Sequence, residues 1–274
     1  MQITRITRII KQDKAMLLQL AMVFVLLNFN GFSILKSQEK QLVLGDHETF
    51  KVAKAKNEIT IDGKMKERDW KTTEDRSFDY FYRIVEPTDK QETTFRMLWD
   101  ENNLYVFFAC KDQYLTSSEK ERDGKPYLDD CAEIFFIPAP DSLDIHFGFE
   151  LNLYKAPNDF IYVNNFYKGQ AVALQGFNPD YEMEVEINGT INNNSDIDKG
   201  WSMEFAIPLE LFQGGDRFFP VRKGTQWAFL AARQDRNEVK GTRRSTSTLF
   251  PIYDMSKGVH QPSRFGLLEF VDSL

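Results

Sequence analysis

Thr93-Thr94-Phe95-Arg96-Met97-Leu98-Trp99-Asp100-Glu101-Asn102-Asn103-Leu104-Tyr105-Val106-Phe107-Phe108-Ala109-Cys110 is the stretch that decides the fold. Phe95, Met97 and Trp99 alternate with polar or long residues, the two-residue period of a strand with one buried face. Asp100 to Asn103 is a turn, and the apolar run from Leu104 to Cys110 returns as a second strand. Together they predict a β-hairpin.

Working outward, Cys131 to Ile137 reads as another strand, stopped by Pro138 and Pro140. Further strands are predicted over 145–153, 160–164, 181–187, 201–207, 227–233 and 264–270. In one of them Glu182, Glu184 and Glu186 alternate with Met183, Val185 and Ile187, so one face is wet and the other dry. Residues 38–50 read as a polar lead-in, and Ile59-Thr60-Ile61 as a short strand ending in the turn Asp62-Gly63. Met65 to Trp70 reads as a helical turn that plugs the core with Trp70, Pro208 to Phe212 as the start of a short helix, and Asn188 to Lys199 as an exposed loop. The chain shows no 20–50-residue repeat and no long helical pattern. Regular short strands with turn signals predict an all-β fold, a two-sheet antiparallel β-sandwich with short helical turns.

The 274 residues are 42% hydrophobic, enough for a sizeable core in one domain. Aromatic residues make up 14% of the chain, and Trp70, Trp99, Trp201 and Trp227 all sit in core-like patterns. A net charge of −7 argues against nucleic acid as a partner, because phosphate binding needs a basic surface. Arg5, Arg8, Lys11 and Lys14 precede an apolar run from Ala15 to Leu27, too short to cross a membrane comfortably but suited to a signal-peptide core. We therefore expect a signal peptide over 1–37, cleaved after Ser37 or near Gly31, and a single domain over 38–274. The mature protein is then secreted or periplasmic, without a membrane span, and a monomer. Cys110 and Cys131 are either a disulfide, which export permits, or two buried thiols. His47, His146 and His260 are scattered along the chain and suggest no metal cluster.

The block Arg122-Asp123 through Tyr127-Leu128-Asp129-Asp130-Cys131-Ala132-Glu133-Ile134-Phe135-Phe136 is the most informative for function. It gathers charges and an aromatic at the mouth of a strand. Alternation puts Cys131, Glu133 and Phe135 on one face, where Glu133 needs a polar partner. Two readings stand: a structural ion-pair network, or a polar floor for sugar hydroxyls with Tyr127 stacked on the ring. No Gly-x-Ser-x-Gly elbow, P-loop, His-Glu-x-x-His or dinucleotide fingerprint is present, and no acidic pair has the context of a glycosidase. The residues thus point away from an enzyme.

Five motifs in order resemble carbohydrate-binding module family 9. They are Ile61-Asp62-Gly63 with Asp69-Trp70, Leu98-Trp99-Asp100 with Leu104-Tyr105-Val106, the Arg122–Phe135 block, Trp201-x-x-Glu204-x-Ala206-Ile207-Pro208, and Pro262-x-x-Phe265-Gly266-x-Leu268-x-Phe270. The resemblance spans about 59–270. It implies a non-catalytic β-sandwich that binds a glucan, xylan or related oligosaccharide through aromatic stacking and hydrogen bonds, with structural calcium ions. Carried over by position, it assigns Tyr127 to the first stacking aromatic, Glu133 to the acidic ligand, Asn152 to a polar ligand, and Arg122 and Arg233 to the site. For calcium, Asp62, Asp100 and Asp130 are candidate oxygen ligands. One departure is plain: where relatives carry a second Trp, this chain reads Arg243-Arg244-Ser245-Thr246. Arg244 there either contacts the sugar or is a solvated loop charge. Tyr114, Phe166, Tyr167 and Tyr253 are further loop aromatics open to stacking. An interaction or structural sandwich that has lost its sugar site is the alternative function, and a haem sandwich, which needs an axial His or Met, is a third.

Overall fold

A computed structural model of the chain describes residues 44–82, 91–141, 145–163, 172–215, 219–236, 244–252 and 258–274, with backbone alone for Tyr82 and Arg244. All belong to the unit Gln41–Leu274. The expected leader over 1–37, Arg243, and the loop aromatics Phe166, Tyr167 and Tyr253 lie outside the described residues.

The strands are β1 (Phe50–Lys54), β2 (Asp75–Ser77), β3 (Tyr80–Tyr82), β4 (Thr93–Trp99), β5 (Asn103–Cys110), β6 (Cys131–Ile137), β7 (Ile145–Asn152), β8 (Pro157–Val163), β9 (Val172–Leu174), β10 (Glu182–Asn188), β11 (Gly200–Pro208), β12 (Gln226–Arg236), β13 (Arg244–Thr248) and β14 (Gly266–Val271). They pair in the order β10-β11-β5-β4-β1-β14-β12-β6-β7-β8-β9, with β2 on β4 and β13 joining β12 to β3. Short 3-10 turns at Arg68–Thr72, Pro126–Leu128, Leu209–Phe212 and Pro262–Arg264 interrupt the strands. Among the described residues no helix is long and apolar enough to cross a membrane.

The fold is all-β, as the alternation requires, and the 93–110 hairpin forms with Trp99 opposite Leu104. It departs from the expectation in its seam. Residues 50–54, adjoining the expected polar lead-in, form β1, which runs parallel to both β14 and β4. The sheet is therefore mixed rather than purely antiparallel. Phe50 and Val52 are fully buried, so the apolar positions that specify β1 were present, but too few to show a period. Ile59 to Ile61, by contrast, is not a strand.

Apolar side chains from strands along the whole order of the sheet gather in one buried core. Phe50 of β1 meets Phe95 of β4 at 5.7 Å and Phe229 of β12 at 5.6 Å, both edge-on, the favoured geometry for aromatic pairs. All four tryptophans are buried. Cys110 and Cys131 are buried free thiols, and burial pushes the Cys110 thiol up to about 12.

A second, smaller core lies on the outer face of β4, β5 and β11. Trp70 packs there on Phe107, with ring centroids 5.5 Å apart. Buried Glu204 of β11 holds this lid. It accepts from the backbone N–H of Asp62 and Gly63 at 3.0 Å each and from Trp70 Nε1 at 3.1 Å. The Ile61-Asp62-Gly63…Trp70 and Trp201…Glu204 motifs are thus two sides of one contact. Burial pushes the Glu204 carboxyl up from its ordinary 4.5 to about 7, against the pull of its three N–H donors.

Trp70→Ala should destabilise the fold by about 3–5 kcal/mol in denaturant unfolding, the usual cost of emptying an aromatic core position. The raised Glu204 carboxyl sets a pH dependence. The folded chain holds that proton more tightly than the unfolded chain, so its contribution is fully present below pH 4.5 and is lost as pH rises towards about 7. Unfolding measured across that window should slope downward in the wild type and flatten in Glu204→Gln.

Candidate functional site

Strand parity builds the site. Glu133 of β6 stands opposite Ala232 of β12 on one side and Glu150 of β7 on the other. Glu150 in turn stands opposite Asn158 of β8, and Gln234 of β12 opposite Thr246 of β13. Side chains two apart on a strand share a face, so Gln234 joins this rank. The result is a polar floor crossing five neighbouring strands. It lines a cleft of about 490 Å³, within the range of small-molecule sites. Tyr127, Tyr162 and His260 stand around it, with Ala173 and Gln175 at the β9 edge.

The floor is wired along its length. Thr246 Oγ1 donates to Gln234 Oε1 at 2.6 Å, Gln234 Nε2 donates to Glu133 Oε1 at 2.7 Å, and Asn158 Nδ2 donates to Glu150 Oε2 at 2.8 Å. Glu133, Glu150, Asn158 and Gln234 are all buried. Two carboxylates directly opposed across strands repel, and the amide donors offset that cost.

The apolar side of the cleft rests on a glycine. A Cβ at Gly148 would come within 2.2 Å of the Phe160 ring, so only glycine lets that ring lie over β7. Around it, Phe135, Tyr162 and the two imidazoles of His146 and His260 pack together. His146 Nε2 and His260 Nδ1 are 3.3 Å apart, and His260 Nε2 lies 3.9 Å from Glu150 Oε1. Two of the three histidines scattered in the sequence therefore meet in space, while His47 stacks on Phe250 instead. Burial holds His146 well below the usual histidine range, with His260 a second cause, and burial pushes His260 down to about 4. Burial, then the charges of Glu150 and Tyr127, raises the Tyr162 phenol.

The structure places the expected site residues unevenly. Tyr127 and Glu133 line the cleft. Arg233 sits on the opposite face of β12 from Gln234, because the strand period is two. It is fully buried, donating to Asp112 Oδ2 at 2.9 Å, Thr93 Oγ1 at 3.0 Å and the Lys111 carbonyl at 2.9 Å. Arg122 pairs with Asp159, which faces away from Asn158 and Phe160 by the same parity. Tyr114 is half-buried and outside the cleft lining, and the Arg244 side chain lies outside the described residues.

Asn152 shares the face of Glu150 but is turned to other work. It donates to the Glu119 carbonyl at 2.9 Å and Asp129 Oδ2 at 2.8 Å, and its Oδ1 accepts from Tyr154 and Ala156 N–H. Asp129 also accepts from Ser118 and Glu119 N–H at 2.9 and 2.8 Å. These two side chains clamp the loop that carries Tyr127.

Three carboxylates, of Asp112, Asp130 and Asp235, come within 4.8 Å of one another. They do not fit calcium, which asks for six to eight oxygens. The Arg233 guanidinium already stands there, 2.9 Å from Asp112 and 3.8 Å from Asp235. Both Asp130 oxygens accept backbone N–H groups, of Thr116 and Arg236, at 2.6 Å. Burial, then Asp112 and Asp235, holds the Asp130 carboxyl well above the usual range. Asp62 pairs with Lys66, and Asp100 accepts from Asn102 and Asn103 N–H and from the Tyr105 hydroxyl, so these expected ligands belong to separate turns.

Tyr162, Phe160, Glu150, Asn158, Gln234, Thr246 and His260 are cleft residues that the sequence reading missed. For the strand residues the signal is register: each is found by stepping across from Glu133 once the pairing is known, whereas His260 sits in a loop that no strand pattern marks.

Comparison with solved structures gives matches at low identity. A carbohydrate binding module family 9 from Caldicellulosiruptor kristjanssonii in complex with glucose aligns at 17% identity, TM-score 0.56, over 81% of this chain and 95% of its own. The same organism's module in complex with cellotriose aligns at 18% identity, TM-score 0.55, over 83% and 95%. A Bacteroides uniformis ATCC 8492 protein aligns at 18% identity, TM-score 0.61, over 81% and 99%. A comparison with curated protein sequences gives no match. The family model described as carbohydrate family 9 binding domain-like matches residues 61–273, which takes in every motif from Ile61-Asp62-Gly63 to the closing strand, and the chain belongs to that family.

Proposed function

We propose that this chain is a non-catalytic carbohydrate-binding protein whose site is the cleft between Tyr127, Tyr162 and the Glu133–Glu150 floor. The observation that carries this reading is the pairing of an aromatic wall with a buried polar floor in one open cleft. Sugar rings present an apolar face that packs on aromatic side chains and an edge of hydroxyls that needs polar partners. Membership of the family and the glucose and cellotriose complexes of its structural neighbours support a glucan, a xylan or a related oligosaccharide. The basic start and the apolar run from Ala15 to Leu27 support export and a secreted or periplasmic protein.

Titration calorimetry of the full chain with glucose and cellotriose tests this directly. Tyr127→Ala and Glu133→Ala should each weaken binding by about 10- to 100-fold, the loss expected from a hydrogen bond to a charged group or an aromatic platform. No binding of any glucan, xylan or oligosaccharide would sink the reading, as would turnover of an aryl-glycoside. Asn152→Ala should act through the loop instead. It should cost about 1–3 kcal/mol of stability by leaving buried donors and acceptors unmet, and speed amide exchange at Ser118 and Glu119.

A further inference from the structure

The loop that carries Tyr127 is held from a second side. Asp123 N–H donates to the Pro157 carbonyl at 2.8 Å, and Asp123 itself stands at φ 60°, a left-handed conformation uncommon outside glycine. Beside it the Arg122 guanidinium donates to Asp159 Oδ2 and, at 3.3 Å, to Asn178 Oδ1. Asp159 is fully buried, and its other oxygen accepts from the Tyr181 hydroxyl at 2.7 Å. The Tyr181 ring is set edge-on against buried Phe149, with centroids 5.4 Å apart. Asp159 alternates along β8 with Asn158 and Phe160, which line the cleft, so this network lies behind the strand and Arg122 is not part of the lining. It ties three pieces of chain together: the Tyr127 loop, β8, and the segment after β9. That segment begins at the β9 edge of the cleft, where Gln175 stands, and the Phe177 N–H donates back to the Leu174 carbonyl at 3.4 Å.

We infer that Arg122 is a positioning residue for the sugar site: by joining buried Asp159 to Asn178 it fixes the Tyr127 loop relative to the β9 edge of the cleft, without touching the sugar. The inference rests on the sugar-binding reading above. Asp159 is the fixed end of this contact, held by burial and by Tyr181. Arg122, with 41% of its side chain exposed, is the end that brings the loop to it. A buried carboxylate needs a charged or hydrogen-bonding partner, so the loop is drawn to one place. A loop already in place spares the sugar the cost of ordering it.

Calorimetry of the full chain with cellotriose, or with xylotriose if that binds more tightly, tests it on Arg122→Ala, Asp159→Asn and the double variant. Arg122→Ala should weaken binding by about 2- to 10-fold, the factor for re-ordering a freed side chain at each binding event. Asp159→Asn keeps the shape and removes the charge, and should weaken binding in the same direction. The two losses should not add, because both act through one contact. Amide exchange at Asp123 should be faster in Arg122→Ala, and saturation with the sugar should slow it more than in the wild type, a response that a contact serving stability alone would not give. Thermal unfolding of each variant reports on the fold, and Asp159→Asn carries the test where Arg122→Ala does not fold. Unchanged affinity in a folded variant would overturn the inference alone, and so would losses that add, which would set Arg122 on the sugar itself. A wild-type chain that binds neither trisaccharide would overturn the sugar-binding reading and the inference with it.

Discussion

The ion pair between Arg233 and Asp112 is the interaction on which the rest hangs. Three aspartates are buried together, and the guanidinium of Arg233 is the positive charge among them. It lies over the Trp201 ring at 5.6 Å, while Trp201 Nε1 donates to the same Asp112 oxygen. Removing one partner of such a buried pair typically costs about 3–5 kcal/mol, because the other charge is left stranded. Geometry matters more here than the magnitude. With Arg233 fixed inward, Gln234 has to face outward into the cleft, and the register with β6 carries Glu133 there too.

From that anchor the order spreads through loops. Asp130 accepts from Thr116 N–H, and Asp198 accepts from Leu115 and Thr190 N–H. Asn192 exchanges hydrogen bonds with Ser117, accepting from its N–H and donating to its carbonyl. The segment leading to Tyr127 is thereby bonded at Leu115, Thr116 and Ser117 to neighbouring parts of the chain. A platform for a ligand is worth little if it must be ordered at each binding event. Asp130, which reads in the sequence as a candidate calcium ligand, and its neighbour Asp129 keep that platform in place.

How far the sequence could be read follows from what each residue depends on. Strands with enough alternating positions were visible: the β4–β5 hairpin, β6, β7 and β11 all lie close to their predicted bounds. β1 was not, since its short FKVAK run is set by parallel neighbours far along the chain. β13 likewise reads as a charged, hydroxyl-rich loop, and only its pairing with β12 and β3 makes it a strand. In the cleft, Tyr127 and Glu133 were legible because they share one local block. Glu150, Asn158 and Gln234 reach the floor only by pairing. Arg233 was misplaced for the same reason: family position names a residue, but the face it serves is decided by counting in twos from a neighbour on another strand.

Gly148 has an implication of its own. The Phe160 ring occupies the volume that a side chain at 148 would fill, so the two positions share one space on adjacent strands. Neither is free to drift alone. Enlarging 148 with Phe160 kept would thrust the ring into the cleft, and shrinking 160 with Gly148 kept would hollow the floor. Paired exchange, a methyl gained on β7 against carbons lost on β8, would keep the packing while changing the depth offered to a ligand. Cleft depth is thus a quantity written jointly by two residues, and among relatives it is where compensating substitutions should be found.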